Sequence, residues 1–168
     1  MEVLDMSSQK QKAESSELLS ISSIVDVPYN YNAGYYVSQY LRELKENKRI
    51  LGVKCPKCQK VYVPPRVVCS QCFVQTKEFV PVSDTGTVMA FTVVSVPYTN
   101  PNTGEPKKLP FTCAYIKLDG SDSNIMHCLE EVDEKKIRAG MRVRAVFNEI
   151  RTGDHFTDIK HFKTIAKG

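Results

Sequence analysis

Four of the six cysteines fall in two pairs, Cys55-Pro-Lys-Cys58 and Cys69-Ser-Gln-Cys72, which together read C-x2-C-x10-C-x2-C. Each pair places two sulfurs on one tight knuckle. The segment between the pairs is long enough for a short hairpin that returns the second knuckle to face the first. Four thiolates can then close a tetrahedral site. Zn(2+) suits such a site because four soft anionic ligands leave no open position for water, so the metal staples the fold and does no chemistry. A rubredoxin-type iron accepts the same four sulfurs, and the spacing does not separate the two metals; colour would, since a ferric thiolate protein is red. Disulfides fit less well, because the chain shows no signal-peptide pattern and reads as cytoplasmic, where thiols stay reduced. Glycine often follows the second cysteine of a knuckle, where a left-handed backbone leaves room for amide-to-sulfur hydrogen bonds. Here Gln59 and Phe73 occupy those positions.

The remaining reactive side chains do not assemble into a catalyst. Cys113 and Cys128 both fall inside predicted strands, where an isolated cysteine reads as a small buried hydrophobe. His127 precedes Cys128, but neighbours in a strand project to opposite faces and should not meet. His155 and His161 could share a face of one predicted strand, with no third ligand or oriented carboxylate evident. No acid, base and nucleophile set emerges, and a non-catalytic chain is expected.

Ordinary elements must position these residues. With 42% apolar and 25% charged residues the composition is globular, and the longest apolar stretches, such as Val88 to Val94, are strand-length rather than membrane-spanning. The net charge of +4 is unevenly spread: the first 30 residues hold two lysines and five acids, which leaves the rest at net +7. Basic residues concentrate from Arg42 to Arg66 and from Lys135 to Arg151. That suits an anionic partner or a solvated surface.

Residues 1–32 read as an N-terminal extension, disordered in its first dozen or so positions, whose Leu18, Leu19, Ile21, Ile24 and Val25 are a candidate docking cluster. Residues 33–49 hold an amphipathic helix with Tyr36, Val37, Tyr40, Leu41 and Leu44 on one stripe. Residues 50–82 form the ribbon: Ile50 to Lys54 leads into the first knuckle, Val61 to Val63 is a hairpin arm ended by Pro64-Pro65, and Phe79 to Val82 closes it. Residues 83–168 read as successive strands, Thr87 to Val96, Phe111 to Leu118, Asn124 to Leu129, Arg142 to Ile150 and His155 to Phe162. A short helical segment, Asp133 to Arg138, lies between the third and fourth of them. That order predicts a five-stranded OB-fold barrel, so the fold class is mainly β with one N-terminal helix and a zinc ribbon. The long connection Pro97 to Pro110 is read as functional.

A helix, this ribbon with Pro64-Pro65-Arg66 between its knuckles, and a Thr85-Gly86-Thr87-Val88 strand opening a barrel together resemble one known family. Leu109-Pro110-Phe111, Leu118-Asp119-Gly120 and Ile137-Arg138-Ala139-Gly140-Met141-Arg142-Val143 extend the likeness, which runs from about Tyr35 to the C-terminus. It is the acyl-CoA-associated OB-fold family with a rubredoxin-like zinc ribbon, once catalogued as a domain of unknown function. The resemblance implies a small subunit that assembles with a thiolase-fold catalytic subunit, or with a related hydratase or aldolase, near its CoA site. The form here is similar to the small subunits of degradative thiolases for aromatic acyl-CoA substrates, the 2-benzoylsuccinyl-CoA thiolases of anaerobic toluene breakdown among them. It implies CoA or acyl-CoA as a ligand shared with the partner. Arg66, Lys107 and Lys108 are then the candidates for its phosphates, and Pro110 and Phe111 for the acyl group or the partner's active-site entrance. The rival reading is a single-stranded nucleic-acid binder, which would need aromatics interleaved with Lys or Arg on one barrel face.

Overall fold

The computed structural model describes residues 31–97, 99, 104, 106 and 108–165. The extension with its Leu18 to Val25 cluster, most of the Pro97 to Pro110 connection, and Lys107 lie outside the described residues.

The predicted amphipathic stripe forms helix α1 (Gly34–Asn47), which starts where Asn32 Oδ1 accepts the Gly34 N–H at 2.8 Å and stops at Lys48 in the left-handed conformation. Its Tyr40 and Leu44 are fully buried, so the stripe packs within its own chain. Strands β1 (Ile50–Lys54), β2 (Val61–Tyr62) and β3 (Glu78–Val82) follow, joined antiparallel with β1 in the centre.

Five further strands close a barrel in the order β4-β5-β6-β8-β7: β4 (Thr85–Val94), β5 (Phe111–Leu118), β6 (Asn124–Leu129), β7 (Arg142–Phe147) and β8 (Ile159–Thr164). All neighbours are antiparallel except β6 and β8, which meet in parallel where Leu129 pairs with Phe162. The predicted connecting helix is a single 3-10 turn, Glu134–Lys136. Side chains alternate as a half-buried sheet demands: Thr112, Ala114, Ile116 and Leu118 of β5 and Ile125, His127 and Leu129 of β6 point inward, and their neighbours point out. At Gly86 the backbone of β4 lies close against β5, and a Cβ there would stand 2.5 Å from the Lys117 carbonyl oxygen.

The main core joins both halves of the chain. Tyr40 and Leu44 of α1, with Ile50, Val63 and Val82 of the ribbon, pack into one cluster with Val88, Ile116, Leu118, Val143, Ile159 and Phe162 of the barrel. The turn after β5 strengthens the joint. Asp122 Oδ2 accepts the Val61 N–H at 2.9 Å, its own N–H donates to the Val61 carbonyl at 2.8 Å, and Ser123 Oγ bonds both the N–H and the carbonyl of Val63.

One predicted strand starts differently. Residues His155–Asp158 form a helical turn, α2, and only then does β8 begin. The cause is Asp158, whose carboxylate accepts the N–H groups of Thr152 at 2.7 Å and Gly153 at 2.9 Å and so folds the approach to the strand into a loop. Arg151 Nε donates to the Lys45 carbonyl at 2.7 Å and ties this loop to the end of α1.

Candidate metal centre

The two knuckles have one geometry. In the first, the Cys55 N–H donates to the Lys60 carbonyl at 2.9 Å and the Gln59 N–H to the Cys55 carbonyl at 3.0 Å. In the second, the Cys69 N–H donates to Val74 and the Phe73 N–H to Cys69, both at 3.0 Å. Amides then point at sulfur: Lys57 and Cys58 at Cys55 Sγ, 3.4 and 3.5 Å, and Cys72 at Cys69 Sγ, 3.4 Å. Gln59 (φ 61°) and Phe73 (φ 54°) take the left-handed conformation that glycine commonly supplies, at a cost of roughly 1 kcal/mol each. The knuckle therefore forms without its glycines.

The four sulfurs of Cys55, Cys58, Cys69 and Cys72 lie within 4.8 Å of one another, and Cys58 Sγ is 3.7 Å from Cys69 Sγ. Two sulfurs on a tetrahedral zinc, each about 2.3 Å from the ion, stand about 3.8 Å apart. The Tyr62 hydroxyl donates to Cys69 Sγ at 3.2 Å, which draws that thiol down to about 6, while burial pushes Cys72 up to about 12. Such a cluster cannot hold four thiolates without a cation among them, and a divalent soft-ligand ion meets that need. The donor set fits Zn(2+). Val53, Tyr62 and the buried sulfurs form a second, small apolar cluster with Tyr36 and Val74 at its edge.

Tyr62 is the functional residue that the spacing did not point to. Its signal lies in strand alternation: Val61 and Val63 turn to the barrel turn, which leaves Tyr62 on the metal side.

Elsewhere the predicted residues separate. His127 points inward against Phe162, with ring centroids 5.6 Å apart, and Cys128 points out, as alternation requires. Cys113 and Cys128 are not buried hydrophobes: they face each other across β5 and β6 on the outward face, each half-buried. His155 lies in α2 and His161 in β8, so they share no strand. His161 is buried and does have carboxylates beside it. Glu130 is 3.2 Å from its Nδ1 and Glu131 3.2 Å from its Nε2, brought there by the parallel pairing of β6 with β8.

The candidate CoA contacts are likewise divided. Arg66 lies on the ribbon with its guanidinium 4.8 Å above the Tyr62 ring. Lys108, Pro110 and Phe111 line an open cavity of about 580 Å³ with Thr112, Leu129, Glu130 and Glu131, at the start of β5. The ribbon touches the turn after the other end of β5, a strand length of roughly 25 Å away. Arg66 and Lys108 therefore belong to different ends of the barrel, and the cavity beside Lys108 carries two carboxylates.

Comparison with known proteins follows the same division. Residues 42–78 match the family described as the ChsH2 rubredoxin-like zinc ribbon domain, and residues 79–148 match the ChsH2 C-terminal OB-fold domain. A DUF35 domain-containing scaffold protein of Methanocaldococcus jannaschii is 32% identical over 66% of this chain and 75% of its own length. One from Pyrococcus furiosus is 30% identical over 70% and 82%. Among solved structures, a chain of an Ltp2-ChsH2(DUF35) aldolase superposes with a TM-score of 0.59 at 19% identity, covering 80% of this chain and 98% of that one, a likeness of fold. A DUF35 protein of Sulfolobus solfataricus gives 0.50 at 26% identity, over 64% and 75%.

Proposed function

From the premise that this chain belongs to the DUF35 domain-containing scaffold proteins, we propose that it is a non-catalytic accessory subunit of a thiolase-type acyl-CoA complex. The metal centre holds the two knuckles of the ribbon in shape, and the barrel offers a surface to a thiolase-fold catalytic subunit. The observation that carries this reading is the outward face of β4, β5 and β6. Ala90, Thr92, Cys113, Tyr115, Met126 and Cys128 lie side by side there in register, with Tyr115 52% and Met126 47% exposed and no charged side chain among them. A face of this kind matches a protein partner. A single-stranded nucleic acid would need cations interleaved with the aromatics; none stands among these six residues, and Lys117 lies at the edge of the patch, two residues beyond Tyr115 on β5.

In the finer form of the proposal, Lys107, Lys108, Pro110 and Phe111 meet acyl-CoA at the partner's entrance, with Arg66 a separate contact from the ribbon. The two glutamates beside Lys108 favour the acyl or pantetheine part of the ligand over its phosphates at that cavity. An aromatic acyl-CoA such as 2-benzoylsuccinyl-CoA is the substrate class we assign to the complex, and Phe111 at the start of β5 is a flat apolar surface for it.

The test is purification of this chain from its own source at native levels, with identification of stoichiometric partners and a thiolysis assay. A thiolase-sized subunit with acyl-CoA cleavage is the expected outcome. Recovery alone or with nucleic acid would overturn the reading. In the assembled enzyme Lys108→Ala should raise KM for acyl-CoA about threefold to tenfold with kcat unchanged, the signature of lost ground-state binding.

A further inference from the structure

We propose that Cys113 and Cys128 form a redox-active thiol pair that closes to a disulfide across β5 and β6. The argument rests on register. The two residues are direct partners in an antiparallel pair, both on the outward face and both partly exposed. Direct partners come in two kinds, and the kind decides whether a disulfide fits. The Glu130 N–H donates to the Phe162 carbonyl of β8 at 3.0 Å, so at that position the backbone of this segment faces β8. Backbone direction alternates with period two, so Cys128 also turns its backbone away from β5. Its N–H accordingly goes to His127 Nδ1, at 2.9 Å, and not to the neighbouring strand. Cys113 and Cys128 thus occupy a non-hydrogen-bonded pair, the kind in which facing side chains stand closest, with Cα atoms about 4.5 Å apart. That separation lies inside the range a disulfide spans, about 4.4 to 6.8 Å.

The oxidant is a low-molecular-weight organic disulfide. One cysteine, as thiolate, attacks it and forms a mixed disulfide, releasing the first organic thiolate. The facing thiolate then displaces the second and closes the Cys113–Cys128 bond. The two cysteine sulfurs lose two electrons, the organic disulfide gains them, and the two thiol protons leave on the two organic thiols. The ribbon cysteines are held by their metal and stay out of the exchange. The cross-link would sit beside Tyr115 and Met126, so the outward face exists in a dithiol and a disulfide form.

The experiment uses the full zinc-loaded chain treated with oxidised glutathione, quenched by alkylation and read by intact mass and peptide mapping. The expected product has lost two hydrogens, carries a peptide cross-linked through Cys113 and Cys128, retains its zinc, and returns to the starting mass with excess thiol. Cys113→Ser and Cys128→Ser should each trap one glutathione on the remaining cysteine, which shows that the partner is what resolves it. Two stable glutathione adducts on the parent chain, oxidation of the ribbon cysteines with zinc loss ahead of this pair, or absence of reaction would each overturn the proposal.

Discussion

The tip of the ribbon and the barrel solve the same problem with different means. At the tip the fully enclosed residues are Val53, Cys55, Tyr62 and Cys69, too few to offset the ordering of two knuckles. The main core gathers Tyr40, Leu44 and Ile50 with strands from all sides of the barrel, and apolar burial suffices there. The boundary does not follow the ribbon's own limits. Ile50, Val63 and Val82 belong to the ribbon in sequence and to the barrel core in packing. The difference teaches that the metal stabilises the knuckles and only the knuckles.

Removing the metal gives the largest expected effect. A strong chelator should release one zinc per chain and abolish amide-exchange protection from about Cys55 to Gln75. Strands β4 to β8, and the β1 and β3 residues that join the main core, should stay protected. Structural zinc contributes on the order of 10 kcal/mol to small ribbons at neutral pH, far more than the tip's own contacts could replace. Collapse of the barrel together with the knuckles would contradict the division.

The barrel's counterpart is Gly86. An added methyl would meet the Lys117 carbonyl oxygen at 2.5 Å and the Leu118 Cα at 3.0 Å, both backbone atoms that cannot turn aside. Gly86→Ala should therefore cost about 2 to 3 kcal/mol in denaturant unfolding. Zinc content should remain at one per chain, since the knuckles are elsewhere.

A smaller effect concerns the seam between β4, β5 and β7. Arg142 grips both oxygens of Asp119, and Thr85 Oγ1 donates to the same carboxylate at 2.6 Å. These partners hold Asp119 at about 2, below its ordinary 3.8. A depressed carboxylate contributes its full stability above the unfolded-state value and loses it as pH falls through the folded one. Both side chains are partly exposed, 29% for Arg142 and 43% for Asp119, so Asp119→Asn should cost only about 1 kcal/mol at neutral pH. The gap between parent and variant should narrow as pH falls below about 4 and close only below about pH 2, measured by urea unfolding of each at matched pH. A gap that persists in acid would mean the carboxylate is not the stabilising species.

Local patterns in the sequence specify much of this. Strands β1, β5 and β6 occur at their predicted limits, because β5 and β6 alternate between turn residues and β1 runs directly into the first knuckle. The ligand set is legible for the same reason: the cysteine spacing is itself local. What is not legible depends on distant partners. Asp158 reshapes the start of β8 through amides at Thr152 and Gly153. Glu130 and Glu131 reach His161 through a parallel pairing no local pattern announces. Arg66 and Lys108 look equivalent as loop cations, and only the path of β5 puts them at opposite ends. Cys113 and Cys128 read as isolated residues until register sets them face to face.

The smallest expected effect compares the knuckles with each other. Gln59 and Phe73 hold the same left-handed position, yet their side chains differ in what they return. Gln59 Nε2 donates to the Pro56 carbonyl at 2.9 Å and so braces its own turn. Phe73 leaves its ring 82% exposed. Glycine relieves the backbone strain at either site and costs unfolded-state entropy at either site, and these two terms nearly cancel. The side-chain contact then decides the sign. Gln59→Gly, which also loses the contact with Pro56, should destabilise the zinc-loaded chain by about 0.5 kcal/mol, and Phe73→Gly should be close to neutral. Rates of zinc release to a chelator would read both. Faster release from Phe73→Gly than from Gln59→Gly would mean that the exposed ring braces its knuckle in a way its solvent exposure does not suggest, and the two knuckles would then differ in kind.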